Sequence, residues 1–418
     1  MPRSRGATFV IAAVKVKLLI AAAATSAATA WSALWTFPAM LLSAFLVAWG
    51  AEAAQFLISQ GLALAILAWL QTLPEFAVEA VIAWSAGQDP TWCFVASPPV
   101  GCHSHLAIAN FTGAIRLLVG LGWPLIYCVA ALVERRRGGR LRTIQLEKEH
   151  AVEVMATIAP VSYFYWVWWK GSIGLVDAAV LTTMYIGYLA VLWRFPPQRE
   201  EGLSEVARPA RWAYERRGAW RVITIASFFV IGGVLMYFTA HPFLESLLAV
   251  AIPLGVSQFV FVQWVAPFVS EFPEGLTTVR WAATVHRAPV GLVNLLSSNV
   301  NQWTVLAAMI PIAFSVSRGA PTALPFDGAQ RLEILLTLLQ STVAILLLLD
   351  LRFHWWNAAL LFVLWGAQFL VAEWRNEMVW VYGGWAVLLA LHRCWRGARA
   401  PRILRDLLRS PRKKQGPA

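Results

Sequence analysis

Two Pro-Glu pairs set inside apolar runs, Pro74-Glu75 and Pro273-Glu274, are the residues with the most chemical promise. A proline within a helix removes one amide donor and crowds the carbonyl a turn earlier, so backbone oxygens around residues 69–71 and 268–270 are expected to be freed. Free carbonyls beside a carboxylate suit a hard divalent cation such as calcium, which takes roughly six to eight oxygens of mixed origin. Glu75 and Glu274 are therefore the expected metal ligands. Thr72, Ser270 and Ser298 offer hydroxyl or backbone oxygens, and Asn110, Asn294 and Gln302 offer amide oxygens. Glu79 stands four residues after Glu75 and Glu271 three before Glu274, so each pair shares a helix face. The plainer alternative is that some of these acids are protonated or salt-bridged packing groups. It weighs more on Glu79 and Glu271, which lack a counterpart at matched positions.

The elements that must position these groups follow from composition. The chain has 418 residues, 59% apolar and 13% charged, which excludes a water-soluble protein and leaves no room for a sizeable soluble domain. At about 20 apolar residues per span the sequence accommodates about ten to twelve transmembrane helices. They are expected near 8–30, 36–54, 57–87, 105–133, 151–170, 172–194, 219–240, 250–284, 289–316, 331–351, 354–372 and 377–394. The segment at 8–30 carries Lys15 and Lys17 and also reads as a signal-like or interfacial helix. A carboxylate at the bilayer centre costs about 2.5–3.5 kcal/mol, so four acids in such spans demand a positive partner.

The net charge of +12 collects in loops and tail, a topology signal that makes nucleic acid an unneeded partner. Segments 134–150 and 198–221 each hold six basic residues and read as cytoplasmic, as do both termini of this cell-membrane protein. The gaps 88–104 and 319–330 contain no Lys or Arg and read as loops on the other side. Trp31, Trp35, Trp193, Trp355 and Trp356 fall near span ends, as interfacial anchors do. In the outer gap, Cys93 and Cys102 could pair if that side is oxidising; with His103 and His105 they match no strong zinc spacing. His241 reads as capping or interfacial near a span end, and Glu245 as surface-orienting.

The chain also repeats itself. Each half places a Pro-Glu pair in one long apolar span and an Asn-bearing run of small residues at the start of the next: ANFTGAI from Ala109, VNLLSSN from Val293. If each unit has about five crossings, an odd number, the second copy enters the membrane upside down. The signatures, LQTLPE from Leu70 and VSEFPE from Val269, resemble those of the calcium/cation antiporter superfamily, specifically its sodium/calcium exchanger membrane regions. The resemblance covers about residues 36–375 and implies an all-α polytopic fold of two inverted five-helix repeats with extra N- and C-terminal helices. The expected division is an N-terminal tail and extra helix (1–35), a first repeat (36–195), a cytoplasmic linker (196–218), a second repeat (219–376), and a last helix with a basic tail (377–418). Where exchangers carry Asn or Asp one turn after the Ser of the second run, this chain has Leu118 and Gln302, which weakens sodium-type coordination.

The resulting expectation is a secondary antiporter that moves a cation, calcium foremost, against protons or sodium by alternating access. It has no cofactor beyond the transported ion, and its partners are inorganic cations and the lipid bilayer. Arg116 is the main reason for a second reading. Its guanidinium either pairs with Glu79 or Glu75 as a charge-compensating group, leaving one divalent or proton-linked site, or fills the site of a degenerate, non-transporting structural or regulatory protein. The plain alternative is an inward-facing structural salt bridge. Arg280 reads as snorkelling to the cytoplasmic edge near His286 and Arg287. An intramembrane enzyme finds no nucleophile elbow, H-E-x-x-H or Gly-rich phosphate loop to support it. The oligomeric state is not encoded legibly.

Overall fold

In the computed structural model, residues 29–54, 56–57, 72–95, 101–193, 203, 206–397 and 399–409 are described. Most of the expected span at 8–30, residues 58–71 of that at 57–87 and the freed carbonyls near 69–71 lie outside them. The helices are α1 (Ala33–Ala54), α2 (Leu73–Gln88), α3 (Ala109–Leu117), α4 (Trp123–Arg136), α5 (Ala151–Lys170), α6 (Leu175–Leu192), α7 (Arg208–Tyr214) and α8 (Ala219–Ala251). They continue as α9 (Gln258–Ala283), α10 (Ala288–Asn301), α11 (Ala307–Arg318), α12 (Gly328–Leu348), α13 (Trp355–Leu370), α14 (Arg375–Arg396) and α15 (Ala400–Arg409). Among the described residues, six helical stretches are long and apolar enough to cross a membrane. The other long helices are less hydropathic because they carry the acids, arginines, prolines and tryptophans that do the chemistry or anchor the chain.

Two short antiparallel pairs fix the direction of the bundle. β1 (Thr143–Gln145) pairs with β4 (Arg352–His354), and β2 (Ser172–Ile173) with β3 (Leu324–Pro325). The 20 residues of α5, about 30 Å of helix, separate β1 from β2, so the two pairs lie at opposite ends. The stretch from His103 to Arg136 runs toward β1, whereas that from Val285 to Arg318 runs toward β3. The two halves are therefore inverted. At the β2/β3 end the gaps 88–104 and 319–330 meet: His105 Nδ1 lies 2.5 Å from Asp327 Oδ2, and Gln330 Nε2 donates to the Ser104 carbonyl at 2.7 Å. Cys93 and Cys102 form a disulfide there.

The halves interlock crosswise. α1 packs on α8, α2 on α11 and α3 on α9. Two of these crossings need glycine: a Cβ on Gly113 would stand 1.7 Å from the Gln263 carbonyl oxygen, and one on Gly87 would stand 2.7 Å from Ser317 Cβ. The aromatic centre, Phe111, Phe164 and Trp303, joins α3, α5 and the segment after α10 in edge and stacked contacts. The five anchoring tryptophans named above are all exposed.

The structure revises several local expectations. The two prolines are not equivalent breaks: Pro74 occupies the first turn of α2, where its missing N–H has no intrahelical partner to lose, whereas Pro273 sits inside the continuous α9. α8 does not end near residue 240 but continues to Ala251, so His241 is inside a helix rather than at its end. Glu245 does not simply face the surface: its Oε1 lies 3.4 Å from His103 Nε2, while His103 Nδ1 lies 3.5 Å from Asp89. No cluster of three or more His, Cys, Asp or Glu able to hold a metal occurs among the described residues, there or elsewhere.

Candidate cation site between the repeats

The four acids are all buried, Glu75 and Glu274 on α2 and α9 with 1% and 3% exposure, Glu79 with 0% and Glu271 with 7%. The short helices after them supply their donors. Asn110 Nδ2 donates to Glu79 Oε2 at 2.9 Å, and Asn294 Nδ2 to Glu274 Oε1 at 2.7 Å. Ser298 Oγ adds a bond of 2.6 Å to that same Glu274 oxygen. Gln302 then bridges the halves, its single Nε2 reaching Glu75 Oε2 at 3.1 Å and Glu271 Oε1 at 2.7 Å.

This pairing differs from the one the Pro-Glu alignment suggests. By bonding, Glu79 matches Glu274, each held by the Asn of its own repeat, and Glu75 matches Glu271, both held by Gln302. The acids are spaced by four residues in α2 and three in α9, a difference of about 100° of helical rotation between the two pairs.

A second matched feature had no sequence signal. Eight residues after Asn110 and after Asn294, the helices widen into π turns, Leu118–Gly122 and Gln302–Leu306. A π turn rotates the following side chains and leaves backbone groups loosely paired, a geometry frequent at functional sites. Gln302 opens one such turn and Leu118 the other, so only the second repeat carries a polar group from that position into the site. Thr72 is buried at the start of α2, and Ser270 is turned back on its own helix, bonded to the carbonyls of Ala266 and Pro267.

Oxygen atoms with no hydrogen-bond partner concentrate in the same region: Glu75 Oε1, Glu79 Oε1, Glu271 Oε2, Asn110 Oδ1 and Gln302 Oε1. Buried oxygens left unpaired cost free energy unless a positive group neutralises them. Among the described residues no three acids converge tightly enough to grip a metal by themselves, so neutral oxygens would complete any shell here.

Arg116 does not join this site. Its Nη2 pairs with Glu333 of α12 and its Nη1 donates to Gln368 at 3.0 Å, while Arg375 reaches the other Glu333 oxygen at 2.8 Å. Gln263 Nε2 adds a bond to Glu333 Oε2 at 2.9 Å. The expected pairing of Arg116 with Glu75 or Glu79 is therefore replaced by a buried ion pair with an acid 217 residues away in sequence. The signal for Glu333 was available, since an acid inside the apolar run RLEILLTLL needs a partner. Arg280 pairs with Glu52 at 3.0 Å while its side chain remains 37% exposed.

Comparison with known proteins places this geometry. Residues 27–194 and 224–373 match the model of the sodium/calcium exchanger protein family, well over half of the chain. Among solved structures, the H+/Ca2+ exchanger CAX is similar at 29% identity with a TM-score of 0.80, over 96% of this chain and 97% of that one. The sodium-calcium exchanger NCX_Mj shares the fold at 16% identity and a TM-score of 0.50, over 82% of this chain and 98% of that one. No curated protein matches. These relatives are membrane transporters of inorganic cations and not enzymes, so the helical, polytopic architecture and the transport reading stand together. The chain belongs to the sodium/calcium exchanger protein family.

Proposed function

We propose that this protein exchanges calcium for protons by alternating access, with the transported ions meeting Glu75, Glu79, Glu271 and Glu274 between the two repeats. The observation that carries the reading is the Gln302 bridge, which holds one acid from each half against the other. Four buried carboxylates, two of them sharing one amide donor, cannot all remain charged alone. Either a divalent cation or protons must neutralise them, and an exchanger alternates the two.

Protons are favoured over sodium as the counter-ion on two grounds. Leu118 contributes no oxygen where a sodium ligand would be wanted, and the overall similarity to the H+/Ca2+ exchanger CAX spans nearly the whole chain. Asn110, Asn294, Ser298 and Thr72 are proposed to complete the shell, with Glu75 and Glu274 as the main metal ligands. We place the basic loops and both termini on the cytoplasmic side of the cell membrane, the repeats at 36–195 and 219–376, and the linker at 196–218. The degenerate alternative loses its chief support, because Arg116 is neutralised by Glu333 outside the site.

Reconstituted protein tests the proposal. Calcium uptake driven by an imposed proton gradient and not by a sodium gradient is expected; uptake that follows sodium alone rejects the proton coupling, and no uptake under either gradient rejects exchange.

A further inference from the structure

Beyond the four acids of the central site, toward the end of the bundle that carries the basic loops, a further buried acid, Glu52, stands on α1 against α9. We propose that Glu52 forms an entry site for the transported divalent cation at that end, where the Arg280 guanidinium stands in for the cation and is displaced by it. This inference rests on the cation-exchange reading.

Glu52 lies near the end of α1 and is 2% exposed. Its Oε1 accepts from Thr277 Oγ1 at 2.9 Å and from Arg280 Nη2 at 3.0 Å, and its Oε2 accepts from the Ala207 amide of the linker at 2.8 Å. Glu274, Thr277 and Arg280 follow one another at three-residue steps along α9, each about 4.5 Å further along the axis. Successive side chains of α9 therefore step from the central acids toward the surface, and Glu52 bonds the second and third of them.

A cavity of about 180 Å³ flanks these groups, with Trp49, Pro273 and Leu276 in its wall. At about 30 Å³ per water in the liquid it has room for a partly hydrated ion, and Pro273, next to Glu274, separates it from the central site by one residue. A buried carboxylate that stays charged needs a positive partner. Arg280 provides one, yet its side chain is 37% exposed and it holds Glu52 through a single nitrogen, weaker than a two-pronged guanidinium clamp. A cation arriving from the surface can take its place on Glu52 Oε1, with Thr277 Oγ1 as a further ligand, while the Ala207 amide keeps the carboxylate oriented. Arg280 then swings to water, and returns once the ion moves on.

The test is calcium transport by the full-length protein in vesicles sorted for one orientation, with calcium offered at each face in turn. Glu52→Gln is expected to raise KM at the basic-loop face by about 10-fold, in line with the loss of a supporting metal contact. Arg280→Gln should lower KM there several-fold, and Arg280→Lys, which keeps the competing charge, should stay near the parent value. KM at the opposite face should not change. Unchanged KM at both faces, or equal shifts at both, overturns the entry site while leaving exchange intact; absent transport by the unaltered protein overturns the parent reading and this one with it. The double variant Glu52→Gln/Arg280→Gln removes both charges together, so it keeps the test open where a lone buried charge prevents folding, and it should show the raised KM of Glu52→Gln.

Discussion

Gln302, in the second repeat, donates through Nε2 to Glu75, in the first, at 3.1 Å, and the same nitrogen holds Glu271 at 2.7 Å. Removing the amide leaves two acids of opposite halves facing each other without a shared donor. We expect Gln302→Leu to lower stability by about 1–3 kcal/mol and to raise KM for calcium, checked by thermal unfolding and by flux. Unaltered unfolding and flux would show that the bridge matters little.

Neutralising the acids themselves should act on transport more than on folding, because Gln is close in shape to Glu and relieves repulsion. Glu75→Gln and Glu274→Gln are each expected to reduce calcium uptake by roughly 10- to 100-fold or more while the purified protein stays folded. Uptake equal to that of the unaltered protein would remove both residues from the path.

Arg116 and Glu333 form a buried pair away from the site. Breaking it from one side with Arg116→Met should cost about 1–3 kcal/mol, because Arg375 still pairs with Glu333, whereas Arg116→Met/Glu333→Gln, which strips Arg375 of its acid, should cost more. Calcium should still raise the unfolding temperature of the double variant, since the four acids are untouched. Loss of that response would tie the pair to ion binding.

Helix crossings give a further check on the interlock of the halves. Gly113→Ala directs a methyl at the Gln263 carbonyl and should destabilise by about 1–3 kcal/mol or more, whereas Gly233→Ala, with nothing within 4 Å, should be tolerated or mildly stabilising. Similar unfolding temperatures for the two variants would contradict the close approach of α3 and α9.

Local chemistry was readable without a fold. Hydropathy placed the described helices to within a few residues for most spans, because each span is set by its own apolar length, and α8 overran only because its apolar run continues past His241. The Pro-Glu pairs, the matched Asn residues and the inverted repeat were equally visible, since each depends on residues near one another in sequence. The partners were not. Which amide meets which acid, that both helices widen after the Asn, and that Arg116 turns to Glu333 rather than Glu79 depend on helical phase and on segments more than 200 residues apart. A shift of one residue in spacing turns a side chain by about 100°, and only packed neighbours decide which way it finally faces. The sequence thus determined what kinds of groups enter the membrane, and the tertiary structure decided which of them share charge.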